Sequence, residues 1–253
     1  MNVTLISLPK PTVIEGVYSA QELIAYMARV SNPANQNNTK TAKKLLKSLI
    51  RDKHWSPLEM VDVCMEIKTS RDIGRQIIRH RSFVFQEFSL RYAVADSPPV
   101  LREARLQDTK NRQNSVPTGD KSLSEAWNIL QTTVAKTTKE AYTWALGNGI
   151  AKEQARAVLS EGMTETTMFM KGSLRSWIHY CQLRMANGTQ KEHMEIAKLC
   201  WGILRIHFKE VIDAVEELDR AAQEDSLVLN FFKERSQALY EEALRYAKIE
   251  LDK

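Results

Sequence analysis

The segment RHRSFVFQEFSLRY, residues 79–92, sets Arg79, His80, Arg81 and Arg91 among six large apolar side chains. It also carries a carboxylate, Glu87, and two serines, Ser82 and Ser89. Forked guanidinium donors suit phosphate oxygens, a serine hydroxyl donates one hydrogen bond, and a carboxylate accepts from a ring or a sugar. Such a set suits a phosphate joined to a polar ring. An internal Glu–Arg pair with a structural serine is the plainer alternative, but it accounts for only part of the set.

Stepping upstream, SRDIGRQIIRH reads as a helix, with Ser70 as N-cap and Asp72 in its first turn. Arg71, Arg75 and Arg79 recur every four residues along it, with Gln76 at the border and Ile73 and Ile77 opposite. Alone, such a stripe is a solvated face. Past Arg81 the chain reads as extended, which would align Glu87, Ser89 and Arg91 on one side and Phe88, Leu90 and Tyr92 on the other.

The remaining elements supply the frame. Residues 2–7 and 60–68 read as strands, the second alternating apolar and polar positions, and TETTMFMKG reads as another strand. Helical spacing marks 20–30, 41–52, 121–147, 151–160, 173–186 and nearly all of 190–253, with a break near 223–226. Residues 97–120 read as the most loop-like stretch. SPLE, 56–59, has the form of a capping box with proline at the first helical position. His193 and His207 read as surface helix residues, and the Trp201, Ile203, Leu204, Phe208 spacing as packing. The layout predicts one mixed α+β domain over 1–253, a central antiparallel-type sheet flanked by long helices, with a helix-rich C-terminal half.

The chain has 253 residues, 43% of them hydrophobic and 26% charged, with a net charge of +5. That is an ordinary globular composition, and the modest positive excess favours anionic partners without saying which. No apolar run reaches the ~20 residues of a membrane helix. The N-terminus lacks the pattern of a secretory signal. Three separated cysteines, Cys64, Cys181 and Cys200, sit in apolar surroundings, which suits structural thiols in a reducing cytoplasm and argues against a disulfide framework or a metal site.

Arg79-His80-Arg81, seven residues, then Ser89 and Arg91-Tyr92, resembles the RHRx7S signature of the flavin-dependent thymidylate synthases. ARVSNP, HWSPLE, ARAVL and LRSWIHYCQLR followed by TQKE are similar to further segments of that family, from about residue 28 to 192. Val84, Gln86, Leu90, Ser160 and Gly188 depart from its usual pattern.

The resemblance implies reductive methylation of dUMP to dTMP, with methylene-tetrahydrofolate as carbon donor and NADPH as reductant through FAD. It implies that Gln76, Arg79, Glu87, Ser89, Leu90, Arg91, Arg156 and Arg184 hold dUMP, with Ser89 and Arg184 catalytic. Arg184 would draw charge onto the uracil ring nitrogen. Ser56, Arg79, His80, Arg81, Glu87, Ser173, Leu174, Arg175 and His179 match FAD positions. A cytoplasmic homotetramer with shared active sites follows from the same likeness, in the host cytoplasm for a viral chain. Two other readings stay open: a related flavin-dependent enzyme modifying pyrimidine nucleotides, and a nucleic-acid-binding module using the arginine stripe. The second is disfavoured by Glu59, Asp72 and Glu87 close to that stripe.

Overall fold

Asp62–Ser70 (β2) buries Val63, Met65, Ile67 and Thr69 and leaves the intervening positions more exposed, the period-2 pattern that makes one sheet face a core face. The computed structural model describes residues 1–251. Asn2–Ser7 (β1) pairs antiparallel with one edge of β2, and Glu165–Ser173 (β6) pairs antiparallel with the other, from Asp62 opposite Ser173 to Ser70 opposite Glu165. Val84–Glu87 (β3) closes the sheet on the far edge of β6, giving the order β1-β2-β6-β3.

Arg71–Ile77 (α3), Leu174–Met185 (α6) and Lys191–His207 (α7) pack against the sheet, and Ala20–Ala28 (α1) and Ala42–Arg51 (α2) extend the same core. Trp177 of α6 is fully buried and its indole N–H donates to the Val63 carbonyl at 2.9 Å, tying helix to strand. Two glycines allow close approach. A Cβ on Gly172 would come within 2.5 Å of the Phe83 ring, and one on Gly74 within 2.9 Å of Met168 Cε. The expected α+β layout is borne out. No described helix is long and apolar enough to cross a membrane.

Several local expectations are corrected. The strand after Arg81 ends at Glu87, not Tyr92. Phe88 N–H makes the last bond to β6, at 2.9 Å to the Thr167 carbonyl, and the Ser89 carbonyl then accepts from both Tyr92 and Ala93 in a turn. The helix from Ser70 stops at Ile77, because the His80 N–H turns back to the Ile77 carbonyl, so Arg79 lies beyond it. The interruption in the tail falls at buried Phe208, between α7 and Lys209–Leu251 (α8), and 223–226 is continuous helix.

Residues 97–120 contain a small hairpin, Arg105–Gln107 (β4) with Ser115–Pro117 (β5), ahead of Lys121–Gly147 (α4). Lys152–Ala155 (α5) is a single turn followed by a 3-10 turn at Arg156–Val158, shorter than the expected 151–160 helix. The capping box occurs at Ser19 and Glu22 of α1. At Ser56–Met60 the chain forms a 3-10 turn without a side-chain cap, since Glu59 is occupied elsewhere.

Candidate active site

Arg184 lies in the last turn of α6, and its Nε donates to His80 Nε2 at 2.9 Å. That bond requires His80 to be neutral with Nε2 bare. Burial, then the Arg184 and His179 charges, hold the His80 pKa down at about 4, so the ring is neutral at ordinary pH. The ring also meets Tyr180 edge-on, with centroids 4.9 Å apart.

Glu87 ends β3 facing α3. Its carboxylate pairs with Arg75, approaches Arg71 Nη1 at 3.9 Å, and accepts from Thr166 Oγ1 at 2.9 Å. The internal Glu–Arg pair weighed from the sequence is therefore present, although its partners are Arg75 and Arg71, not Arg91. Arg79 and Arg81 are exposed and make no ion pair among the described residues, leaving two uncompensated cations beside that cluster.

A second group surrounds a cavity of about 440 Å³ lined by Trp55, Glu59, Ser82, Arg175, Ser176, Ile178, His179 and Gln182. Glu59 accepts from Ser173 Oγ and from Arg175 Nη1, the latter at 2.8 Å, which fixes one wall. Ser173 also caps α6 by accepting from the Ser176 N–H at 3.2 Å. Leu174 is buried under that wall, His179 stands exposed on the next turn, and Ser56 is exposed in the adjoining 3-10 turn.

The third group lies around α5. Arg91 Nε reaches Glu153 Oε2 at 3.3 Å, and Arg156 Nε reaches the Glu153 carbonyl at 3.3 Å. Ser89 is exposed, whereas Leu90 is buried and lines a separate cavity of about 330 Å³ with Phe88, Pro98, Lys139 and Thr166. Among the described residues no hydrogen bond or ion pair joins Ser89, Arg91 or Arg156 to Arg184.

His193 is the residue most clearly misread from sequence. It is fully buried, not on the surface, with Nδ1 3.3 Å from Gln76 Oε1 and Nε2 3.1 Å from the Tyr180 hydroxyl. Its apolar neighbours at helical spacing, Ile196, Ala197 and Cys200, carry the signal that this face of α7 points inward. Burial pushes the Cys64, Cys181 and Cys200 thiols up, so none is poised as a thiolate nucleophile.

Taken together, these elements form an α+β scaffold with exposed cationic groups of the kind that suit an anionic ligand. It has clustered arginines, a neutral imidazole buttressing one of them, and no activated thiol. Residues 12–208 match the family described as thymidylate synthase complementing protein, and the chain belongs to it. It is 50% identical over 216 residues to a probable flavin-dependent thymidylate synthase of Paramecium bursaria Chlorella virus 1, covering 85% of this chain and 99% of that one. Against the flavin-dependent thymidylate synthase of Synechocystis the identity is 50% over 218 residues, covering 85% and 100%. Its fold is similar to that of the UMP/dUMP methylase PolB from Streptomyces cacaoi, crystallised with 5-Br dUMP, with TM-score 0.73 and 21% identity over 85% of this chain and 94% of that one.

Proposed function

We propose that this chain is a flavin-dependent thymidylate synthase that methylates dUMP to dTMP. Family membership and half-identity to two such synthases over nearly their whole lengths support the activity. The observation that carries the chemistry is the Arg184–His80 bond, which fixes a guanidinium that has no carboxylate partner among the described residues.

The residues present fit a flavin. A cavity of about 440 Å³ lies within the range of small-ligand pockets, and Arg175, His179 and Gln182 line it with polar groups. Arg79 and Arg81 are free to meet the phosphates of FAD. When bound, the flavin supplies the reducing equivalents, drawn from NADPH, that complete the methyl group brought by methylene-tetrahydrofolate.

The chain's own work is positional and electrostatic. Gln76, Arg79, Glu87, Ser89, Leu90, Arg91 and Arg156 hold the nucleotide, and Ser56, Ser173, Leu174, Arg175 and His179 hold the cofactor, with His80, Arg81 and Glu87 between them. Glu87 is aimed by its ion pairs with Arg71 and Arg75. Arg184 stabilises negative charge on the uracil ring nitrogen and carbonyl as the ring reacts. A fixed guanidinium does so without reorganising.

The active site reads as completed by other copies of the chain, as a homotetramer would provide. Leu123, Trp127, Leu130 and Val134 support the same reading: all are exposed along one side of α4, at a spacing that helix pairing uses. Purified protein should be yellow, and its flavin spectrum should change on adding dUMP more than on adding dCMP. A spectrum that responds equally to both would favour a broader pyrimidine-nucleotide enzyme.

A further inference from the structure

We propose that His193 is a positioning residue that fixes which edge of the Gln76 amide is presented to the nucleotide. The inference rests on Gln76 belonging to the nucleotide site, as argued above.

The reasoning starts at a carboxylate and works inward. Glu192 is paired with Arg102 Nη1 at 3.2 Å, and an ionised carboxylate can only accept hydrogen bonds. Gln190 Nε2 donates to Glu192 Oε2 at 2.9 Å, so the atom Gln190 leaves for its other neighbour is its carbonyl oxygen. Gln76 must therefore offer its NH2 to that oxygen, which it does at 2.8 Å. Its own Oε1 is thereby turned to His193 Nδ1 at 3.3 Å.

An oxygen there demands that Nδ1 carry the proton, which leaves Nε2 bare to accept from the Tyr180 hydroxyl at 3.1 Å. Burial, with the charges of Arg184 and His80, holds the His193 pKa at about 3, so the ring keeps one proton only. Every bond from Tyr180 to Glu192 then runs in one sense. One Gln76 N–H is left over, fit for an acceptor oxygen of the nucleotide. Without His193 only the bond to Gln190 still opposes rotation of the amide, and the rotated amide would offer its own oxygen, which would repel a phosphate or carbonyl.

The test uses the flavin-loaded protein and titrates dUMP by flavin absorbance. His193→Leu should raise the dUMP dissociation constant and KM about tenfold, the scale of one oriented hydrogen bond, with kcat at saturation nearly unchanged. His193→Asn, whose amide N–H can replace Nδ1–H, should recover most of that loss. In a Gln76→Ala background the His193 substitutions should add nothing. An unchanged dissociation constant in folded, flavin-bound His193→Leu would overturn the inference, as would a full effect that persists without Gln76. Imidazole 15N shifts of the unsubstituted protein give a reading independent of nucleotide: they should report His193 protonated at Nδ1. Protonation at Nε2 overturns the inference whether or not dUMP binds, while failure of the unsubstituted protein to bind dUMP with the expected tautomer in place counts against the functional reading alone.

Discussion

Replacing Arg184 with alanine removes a preorganised donor from beside the proposed ring site while sparing most of the fold. The guanidinium is half-buried at the end of α6 and makes one hydrogen bond among the described residues, 2.9 Å to His80. As a cation in the last helical turn it contributes about 0.3–1 kcal/mol through the helix dipole, small beside the ~5–15 kcal/mol that keeps a domain folded. Removing a donor aimed at developing charge costs about 2.7–4 kcal/mol, or a factor of about 10²–10³ in kcat. The catalytic loss should therefore far exceed the stability loss. His80 gives a second reading. Burial is the larger cause of its depressed pKa and the Arg184 charge the next, so the pKa should rise from about 4 in the variant yet stay below 6.5. The assays are dTMP formation under saturating substrates, flavin absorbance of the purified variant, and the pH titration of the His80 ring by NMR. Arg184→Lys should fall between, since an ammonium keeps the charge but loses the planar donor geometry. Turnover within about threefold of the unsubstituted protein, where the donor argument requires a hundredfold loss, would refute the reasoning. So would an unmoved His80 pKa.

Ser89→Ala should weaken dUMP binding or turnover without lowering Tm, because Ser89 is exposed and its structural duty is carried by its backbone carbonyl. Isothermal titration alongside a melting curve checks both halves, and unchanged binding with unchanged turnover would count against its assignment. Gly172→Ala should destabilise by about 1–3 kcal/mol through overpacking, since the new Cβ would lie 2.5 Å from the Phe83 ring; a denaturant midpoint equal to that of the unsubstituted chain would contradict this. Acid should destabilise the fold. With folded pKa values of about 4 for His80 and about 3 for His193 against about 6.5 when unfolded, the unfolded chain binds more protons below pH 6.5. Stability is thus lost as pH falls from about 6.5 towards 3, with fully buried His193 contributing up to ~1.4 kcal/mol per pH unit. Urea midpoints that stay level from pH 7 to 5 would exclude that contribution.

The elements most legible in the sequence were those with a simple period. Val63, Met65 and Ile67 announced β2 through alternation, and the apolar spacing of Leu46, Leu49 and Ile50 announced α2. Boundaries set by tertiary contacts were not legible. Nothing local says that β3 must stop at Glu87; β6 sets that limit, where Thr167 takes the last ladder bond. Phe208 breaks the tail because it is drawn fully into the core, while the polar stretch at 223–226 simply continues as helix. Within the candidate site, the arginines were visible by type and spacing, but their partners were not. Glu87 engages Arg75 on the preceding helix, and Glu59 engages Ser173 and Arg175 more than a hundred residues away in sequence. His193 was misread for the same reason: its place in the core depends on Gln76 and Tyr180, which come from two other helices.

Anaerobic mixing tests the account most directly. The flavin-loaded protein is reduced with NADPH, then given dUMP and methylene-tetrahydrofolate, and the nucleotide is recovered and analysed. The account predicts flavin reoxidation without oxygen and dTMP in proportion to the flavin reoxidised. Protein that takes up no flavin, or reduced flavin that persists with dUMP recovered unchanged, would contradict it.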